Sequence, residues 1–167
     1  MAKKRRPGPQ AGPGTPATVA LTAAGVRYTA HTYTHDPHVT NYGLEAAAAL
    51  DVDPDRVFKT LLAVAEDRLL VGIVPVSRML DLGSLAAVAG AKRASMADPA
   101  LAERKTGYVV GGISPLGQRT ASPTFLDDSA AAWPTVFVSG GRRGVELELA
   151  PDDLLRATGG RLAPLAR

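Results

Sequence analysis

The sequence predicts an α+β fold: one domain in which helices surround a mixed, barrel-like β-sheet. Three observations predict it. Strand-like and helix-like segments intermix without a regular βαβ period, which disfavours a doubly wound nucleotide fold. Two β-branched runs, 57–65 and 69–74, flank the polar Glu66-Asp67-Arg68 and read as a hairpin. The length of 167 residues, at 46% hydrophobic and 21% charged, suits one domain with a sizeable core.

The elements follow in chain order. Thr15-Pro16 supplies an N-cap and a first-turn proline and Gly25 a stop, giving a helix over 16–24. Residues 26–34 read as a strand, and His35-Asp36-Pro37-His38 as a turn, because proline lacks a donor and restricts the residue before it. Residues 43–50 are alanine-rich and helical. After the hairpin, 81–89 is a helix, and Asp98-Pro99 caps another that runs to Thr106. Strands are expected at 109–110, 124–126, 135–138 and 144–149, then a closing helix over 151–157. The alanine clusters at 46–49 and 130–132 read as helical composition.

Charge is unevenly distributed. Of the net +3, Lys3, Lys4, Arg5 and Arg6 contribute +4, so the remainder carries −1. Gly and Pro in Pro7-Gly8-Pro9 and Gly12-Pro13-Gly14 deny this segment a helix or a core. Residues 1–14 are therefore expected as a disordered basic Gly/Pro-rich tail and 15–167 as the folded domain. Such a tail is either a loose, salt-sensitive contact for a polyanion or a solubilising extension. The rest lacks the net charge and aromatic-rich motifs of a generic nucleic-acid binder. No apolar run reaches membrane-spanning length and no secretory signal opens the chain, so a cytoplasmic protein without membrane contact is expected. With no cysteine, the chain can form no disulfide, thiolate metal site or thiol nucleophile of its own.

Lys59 is the candidate reactive group. It interrupts the apolar run Val57-Phe58-Lys59-Thr60-Leu61-Leu62, on one strand face with Val57 and Leu61. A lysine so placed is paired, has its pKa lowered, lines a cleft for an anionic or carbonyl substrate, or snorkels from a strand end. Two glycine loops, Gly111-Gly112-Ile113-Ser114-Pro115-Leu116-Gly117 and Ser139-Gly140-Gly141-Arg142-Arg143-Gly144, follow expected strands. Each is either a tight turn or a backbone cradle for an anion or oxyanion, and neither matches a P-loop or dinucleotide fingerprint. In Val145-Glu146-Leu147-Glu148-Leu149 the aliphatics face the core while Glu146 and Glu148 share the other face. That face is ordinarily solvated, and if it borders the Lys59 cleft, Glu146 is the nearer charge partner. His31, His35 and His38 lack the further ligands of a metal set, so neither metal nor cofactor is expected. Tyr33 is either core or pocket wall.

With these pieces in order, the chain resembles the YbaK family of free-standing aminoacyl-tRNA editing proteins, related to the editing domain of bacterial prolyl-tRNA synthetase. The carriers are His31-Thr32-Tyr33, His35-Asp36-Pro37, Thr40-Asn41-Tyr42-Gly43, Val57 to Leu62, Met96-Ala97-Asp98-Pro99, Thr106-Gly107-Tyr108, Gly111 to Gly117 and Val138-Ser139-Gly140-Gly141. They are collinear across almost all of the chain after Thr15. The resemblance implies hydrolysis of mischarged tRNA at its 3′ end, with Cys-tRNA(Pro) favoured, through attack by the substrate's own thiol. It assigns Lys59 the catalytic role and Tyr33, Tyr42, Thr60, Gly111, Gly112, Ser114, Ser139, Gly140 and Glu146 to substrate binding. Tyr42 stands where phenylalanine is common, and Glu146 where aspartate is expected. Prolyl-tRNA synthetase is an implied transient partner. Removal of alanine from tRNA(Pro) by activated water, or a non-catalytic aminoacyl-tRNA or nucleotide-binding module, are the competing readings.

Overall fold

The computed structural model describes residues 12–167, which form five α-helices and eight strands in two sheets. Helix α1 (Pro16–Ala23) opens on a reciprocal cap: the Thr15 hydroxyl accepts from the Thr18 amide, and the Thr18 hydroxyl accepts from the Thr15 amide. The Thr18 hydroxyl also donates to the Pro13 carbonyl at 3.2 Å. The basic residues Lys3 to Arg6 lie outside the described residues.

Strand β1 (Thr29–Thr32) is shorter than expected. Val26 and Tyr28 are buried in the core ahead of the ladder, while the Tyr33 amide leaves it to bond the Gly144 carbonyl. Helix α2 (Tyr42–Ala49) is capped by Asn41, whose side chain accepts from the Leu44 amide. The hairpin forms as the sequence predicts, β2 (Phe58–Ala65) antiparallel to β3 (Arg68–Pro75), with Lys59 opposite Val74. Its turn residues Glu66 and Asp67 both take positive φ, the geometry that lets a two-residue connection follow the strand twist. Asp81 and Asp98 cap α3 (Leu82–Val88) and α4 (Pro99–Thr106), between which lies the short β4 (Ser95–Met96). The remainder comprises β5 (Thr124–Asp127), β6 (Val136–Ser139), β7 (Val145–Leu149), α5 (Pro151–Thr158) and β8 (Arg161–Ala163).

One sheet has the order β1-β7-β6, all antiparallel. The other runs β4-β2-β3-β5-β8 and is mixed, since β5 lies parallel to both β3 and β8. The mixed α+β architecture is as expected, but the sheets do not close into a barrel. They meet at one isolated bridge, Val57 to Phe137. The β2 edge turned away from β3 pairs with β4 only at Ala63 and Val64, so the stretch between Val57 and Ala63 has no ladder partner on that edge among the described residues.

The main core, including Leu21, Phe58, Leu62, Ile73, Leu126, Val138, Leu147 and Leu154, fills the space between the sheets. Burying each such side chain contributes about 1.5–3 kcal/mol. A second cluster with Leu70, Val74, Leu85, Phe125 and Leu165 covers the other face of the mixed sheet. Three expectations change. Val109 and Val110 form an exposed turn, because Gly107 and Gly111 on either side adopt φ of 80° and 91° and the Gly112 amide bonds back to the Val109 carbonyl. Ala130 to Ala132 lie in a 3-10 turn, not an α-helix. The two- and three-residue strands β4 and β8 carry no periodic pattern of their own.

Candidate active site

The unpaired length of β2 borders a cleft of about 560 Å³. Its wall includes Val57 to Leu62 from β2, Tyr42 from the start of α2, Met96 from β4, Val110, Gly111 and Ile113 from the first glycine loop, and Ser139 and Glu146 from β6 and β7. Backbone groups on a strand alternate between its two edges. The Leu62 carbonyl accepts from Ala97 on the open side, so the amide and carbonyl of Thr60 also point toward the cleft.

Lys59 is half-buried there, and burial lowers its pKa from the ordinary lysine value. Among the described residues no carboxylate lies within 4.0 Å of its ammonium. Glu146 shares the cleft but is not its ion-pair partner. The residue is only 8% exposed, and burial pushes its carboxyl pKa up to about 8, so it is mostly uncharged at neutral pH. Its Oε2 and the Thr60 hydroxyl are buried without a hydrogen-bond partner among the described residues. Unpaired polar atoms in a cavity wall are costly unless a ligand meets them.

Tyr33 does not line the cleft. It packs beside the cluster of Ala46, Ala47, Val57, Val76 and Phe137, behind Glu146, with its phenol pushed up to about 12 by burial and by the Glu146 carboxylate. The Ser139 hydroxyl accepts from the Gly141 amide at 3.2 Å, opposite Glu146 in the ladder.

The glycine loops divide into cleft wall and scaffold. Gly111 lines the cleft, and its amide has no acceptor among the described residues. The Gly112 amide is occupied by Val109, and a Cβ there would stand 2.6 Å from the Arg142 Cα, so this glycine lets the two loops touch. The Gly140 amide donates to the Val145 carbonyl at 2.8 Å and closes the β6–β7 turn. Ser114 is fully buried and accepts from the Leu116 amide, which shapes its own loop. Thus Lys59, Thr60, Tyr42, Gly111, Ser139 and Glu146 converge on the cleft; Gly112, Ser114, Gly140 and Tyr33 stand behind it. Sequence reasoning missed Met96, Val110 and Ile113 in the wall, and Arg143, which lies over the Tyr42 ring and donates to the Val110 carbonyl. The Arg142-Arg143 pair inside a glycine loop was the one visible signal for the last.

No group of three or more His, Asp or Glu able to hold a metal occurs among the described residues, and no described helix is long and apolar enough to cross a membrane.

The fold and the chain's sequence match the family of the aminoacyl-tRNA editing domain. The profile of that family matches residues 36–157, and the chain belongs to it. It is 37% identical over 120 residues to the candidate Cys-tRNA(Pro)/Cys-tRNA(Cys) deacylase EbsC of Enterococcus faecalis, covering 71% of this chain and 73% of the relative. A crystal structure described as a candidate trans-editing enzyme for prolyl-tRNA synthetase superposes with a TM-score of 0.78 at 27% identity, over 91% of this chain and 95% of that one. The hypothetical protein APE2540 superposes with a TM-score of 0.82 at 25% identity, over 92% and 100%.

Proposed function

We propose that this protein hydrolyses mischarged tRNA, with Cys-tRNA(Pro) as substrate and Lys59 as its principal catalytic group. The observation that carries the reading is one cleft lined both by the half-buried Lys59, whose ammonium has no carboxylate partner among the described residues, and by Gly111, whose amide has no acceptor among them. Both can stabilise negative charge developing on an ester carbonyl oxygen.

The chain has no cysteine, so a thiol nucleophile comes from the substrate. The cysteinyl sulfur attacks its own ester carbonyl, forming a C–S bond while the bond to the ribose oxygen breaks. The thiol proton leaves with that ribose oxygen, and water then opens the resulting thiolactone to free cysteine. The protein orients the ester and stabilises the oxyanion. Tyr42, Thr60, Ser139 and the uncharged Glu146 shape the pocket for a small polar side chain, with Tyr33 supporting Glu146 from behind. Prolyl-tRNA synthetase, the source of the mischarged tRNA, presents it in a transient cytoplasmic complex.

One observation favours a second reading, removal of alanine by activated water: Glu146, as the deprotonated fraction above its raised pKa, is a base within the same wall. Deacylation of cysteinyl-, alanyl- and prolyl-tRNA(Pro) by the wild-type protein at fixed salt separates the readings. Selective turnover of the cysteinyl ester is expected. Alanyl turnover as fast or faster moves the assignment to activated water, and binding without turnover of any ester overturns the enzymatic reading.

A further inference from the structure

A second cation stands at the mouth of the cleft and takes no part in the chemistry at Lys59. Arg143 is exposed and belongs to no ion pair among the described residues. It is nonetheless held in place. Its guanidinium lies 4.5 Å from the centroid of the Tyr42 ring, and one of its amino groups donates to the Val110 carbonyl at 2.6 Å. Gly111 makes the seat: a Cβ at that position would stand 2.6 Å from Arg143 Nε and 2.8 Å from the Tyr42 ring. Tyr42, Val110 and Gly111 all line the cleft, so the guanidinium is fixed on its rim with most of its donors free. The carboxylate of Glu103 is also at this rim, where it accepts from the Val110 amide at 2.8 Å. Arg142 adds a second exposed cation outside any ion pair among the described residues.

We infer that Arg143 grips the 5′-phosphate of the terminal nucleotide whose ribose carries the aminoacyl ester. The inference rests on reading the cleft as the ester-cleaving site. An ester carbonyl brought to Lys59 and Gly111 leaves the nucleotide's phosphate outside the cleft, at the rim where Arg143 is held. A planar guanidinium matches phosphate oxygens in a bidentate pair, and one already stacked on an aromatic ring loses less side-chain freedom on binding. Gly111 then serves twice, offering its amide to the carbonyl and leaving room for the arginine.

The test uses three cysteinyl esters: of adenosine, of adenosine 5′-monophosphate, and of intact tRNA(Pro). For the wild type, kcat/KM for the monophosphate ester should exceed that for the adenosine ester by about tenfold, the scale of one charge-assisted hydrogen bond. In Arg143→Ala that ratio should fall to about one, with the loss carried by KM, and Arg143→Lys should restore part of it. The salt dependence of the tRNA reaction should also flatten in Arg143→Ala, by about 0.7 in log–log slope for one lost phosphate contact. Arg27→Ala, which removes an exposed charge at the far end of β1, should keep the wild-type ratio. A ratio unchanged by Arg143→Ala, with wild-type turnover present, overturns this inference alone. Absence of wild-type turnover on every ester overturns the editing reading, and the inference with it.

Discussion

Glu146 and Glu148 lie two residues apart on one face of β7, yet their surroundings are opposite. The Glu148 carboxylate accepts from the Thr135 hydroxyl at 2.6 Å, from Arg56 at 3.1 Å and meets His31 Nε2 at 2.9 Å. Arg56 itself also donates to the Thr135 hydroxyl and carbonyl and lies over the Phe137 ring. Burial alone would raise the Glu148 pKa, but the hydrogen bonds from Thr135 and His31 and the charges of His31 and Arg56 outweigh it and hold the carboxyl below its usual value. At Glu146 nothing offsets burial, and Oε2 has no partner among the described residues. One end of the sheet is saturated with partners, and the other carries a buried carboxyl without a partner among the described residues, in the wall of the cleft. The saturated end secures the junction of the sheets, while the open end is where a substrate can supply what the protein withholds.

The largest expected effect lies at the open end. Lys59→Ala should lower single-turnover deacylation of Cys-tRNA(Pro) by about 10²–10³, the loss typical of one oxyanion stabiliser. Because the ammonium has no carboxylate partner among the described residues, thermal stability should hold or rise, and a collapsed fold in that variant would break the comparison.

At the saturated end the effect should appear in stability. Glu148→Ala should cost about 2–3 kcal/mol, since hydrogen bonds to charged groups are lost and Arg56 keeps only its Thr135 hydrogen bonds and its place over the Phe137 ring. A calorimetric Tm lower by roughly 4–12 °C at pH 7 is the expected reading. With its folded pKa depressed, Glu148 stabilises above its unfolded pKa, and this contribution disappears as pH falls through the folded value. The deficit of Glu148→Ala should accordingly shrink in acid.

The smallest effect has the opposite sign. Glu146 has a raised folded pKa of about 8 against an ordinary 4.5, so wild-type stability from this group is complete below the lower value and declines as pH rises through the upper one. Glu146→Gln should match the wild type near pH 4 and become the more stable of the two as pH rises toward 8–9, because the amide has no proton to lose and so escapes the wild type's pH-dependent loss. Parallel Tm profiles across that interval would show that Glu146 has a partner in solution.

What was legible in the sequence was local. Thr15 and Asp98 cap helices because the side chain immediately ahead of a helix decides its start, and the hairpin follows from two β-branched runs around Glu66 and Asp67. Alternation in Val145 to Leu149 put both glutamates on one face but carried nothing about what covers that face, which depends on β2, Arg56 and Thr135 from distant parts of the chain. Lys59 was legible as a charge in an apolar strand. Its freedom was not, because it arises where β4 stops short and the two sheets touch at a single bridge. The glycine loops were visible as a pair, yet the division between Gly111 at the cleft and Gly112 and Gly140 in the scaffold depends on hydrogen bonds to Val109 and Val145 that composition does not encode.

Substrate-thiol attack with the oxyanion held by the open end of the cleft is tested most directly by single-turnover deacylation of cysteinyl-tRNA(Pro) beside its S-methylcysteinyl counterpart. Rapid loss of the first and near-background loss of the second is the expected result. Equal rates for the two esters would contradict it, because a blocked sulfur cannot attack its own carbonyl.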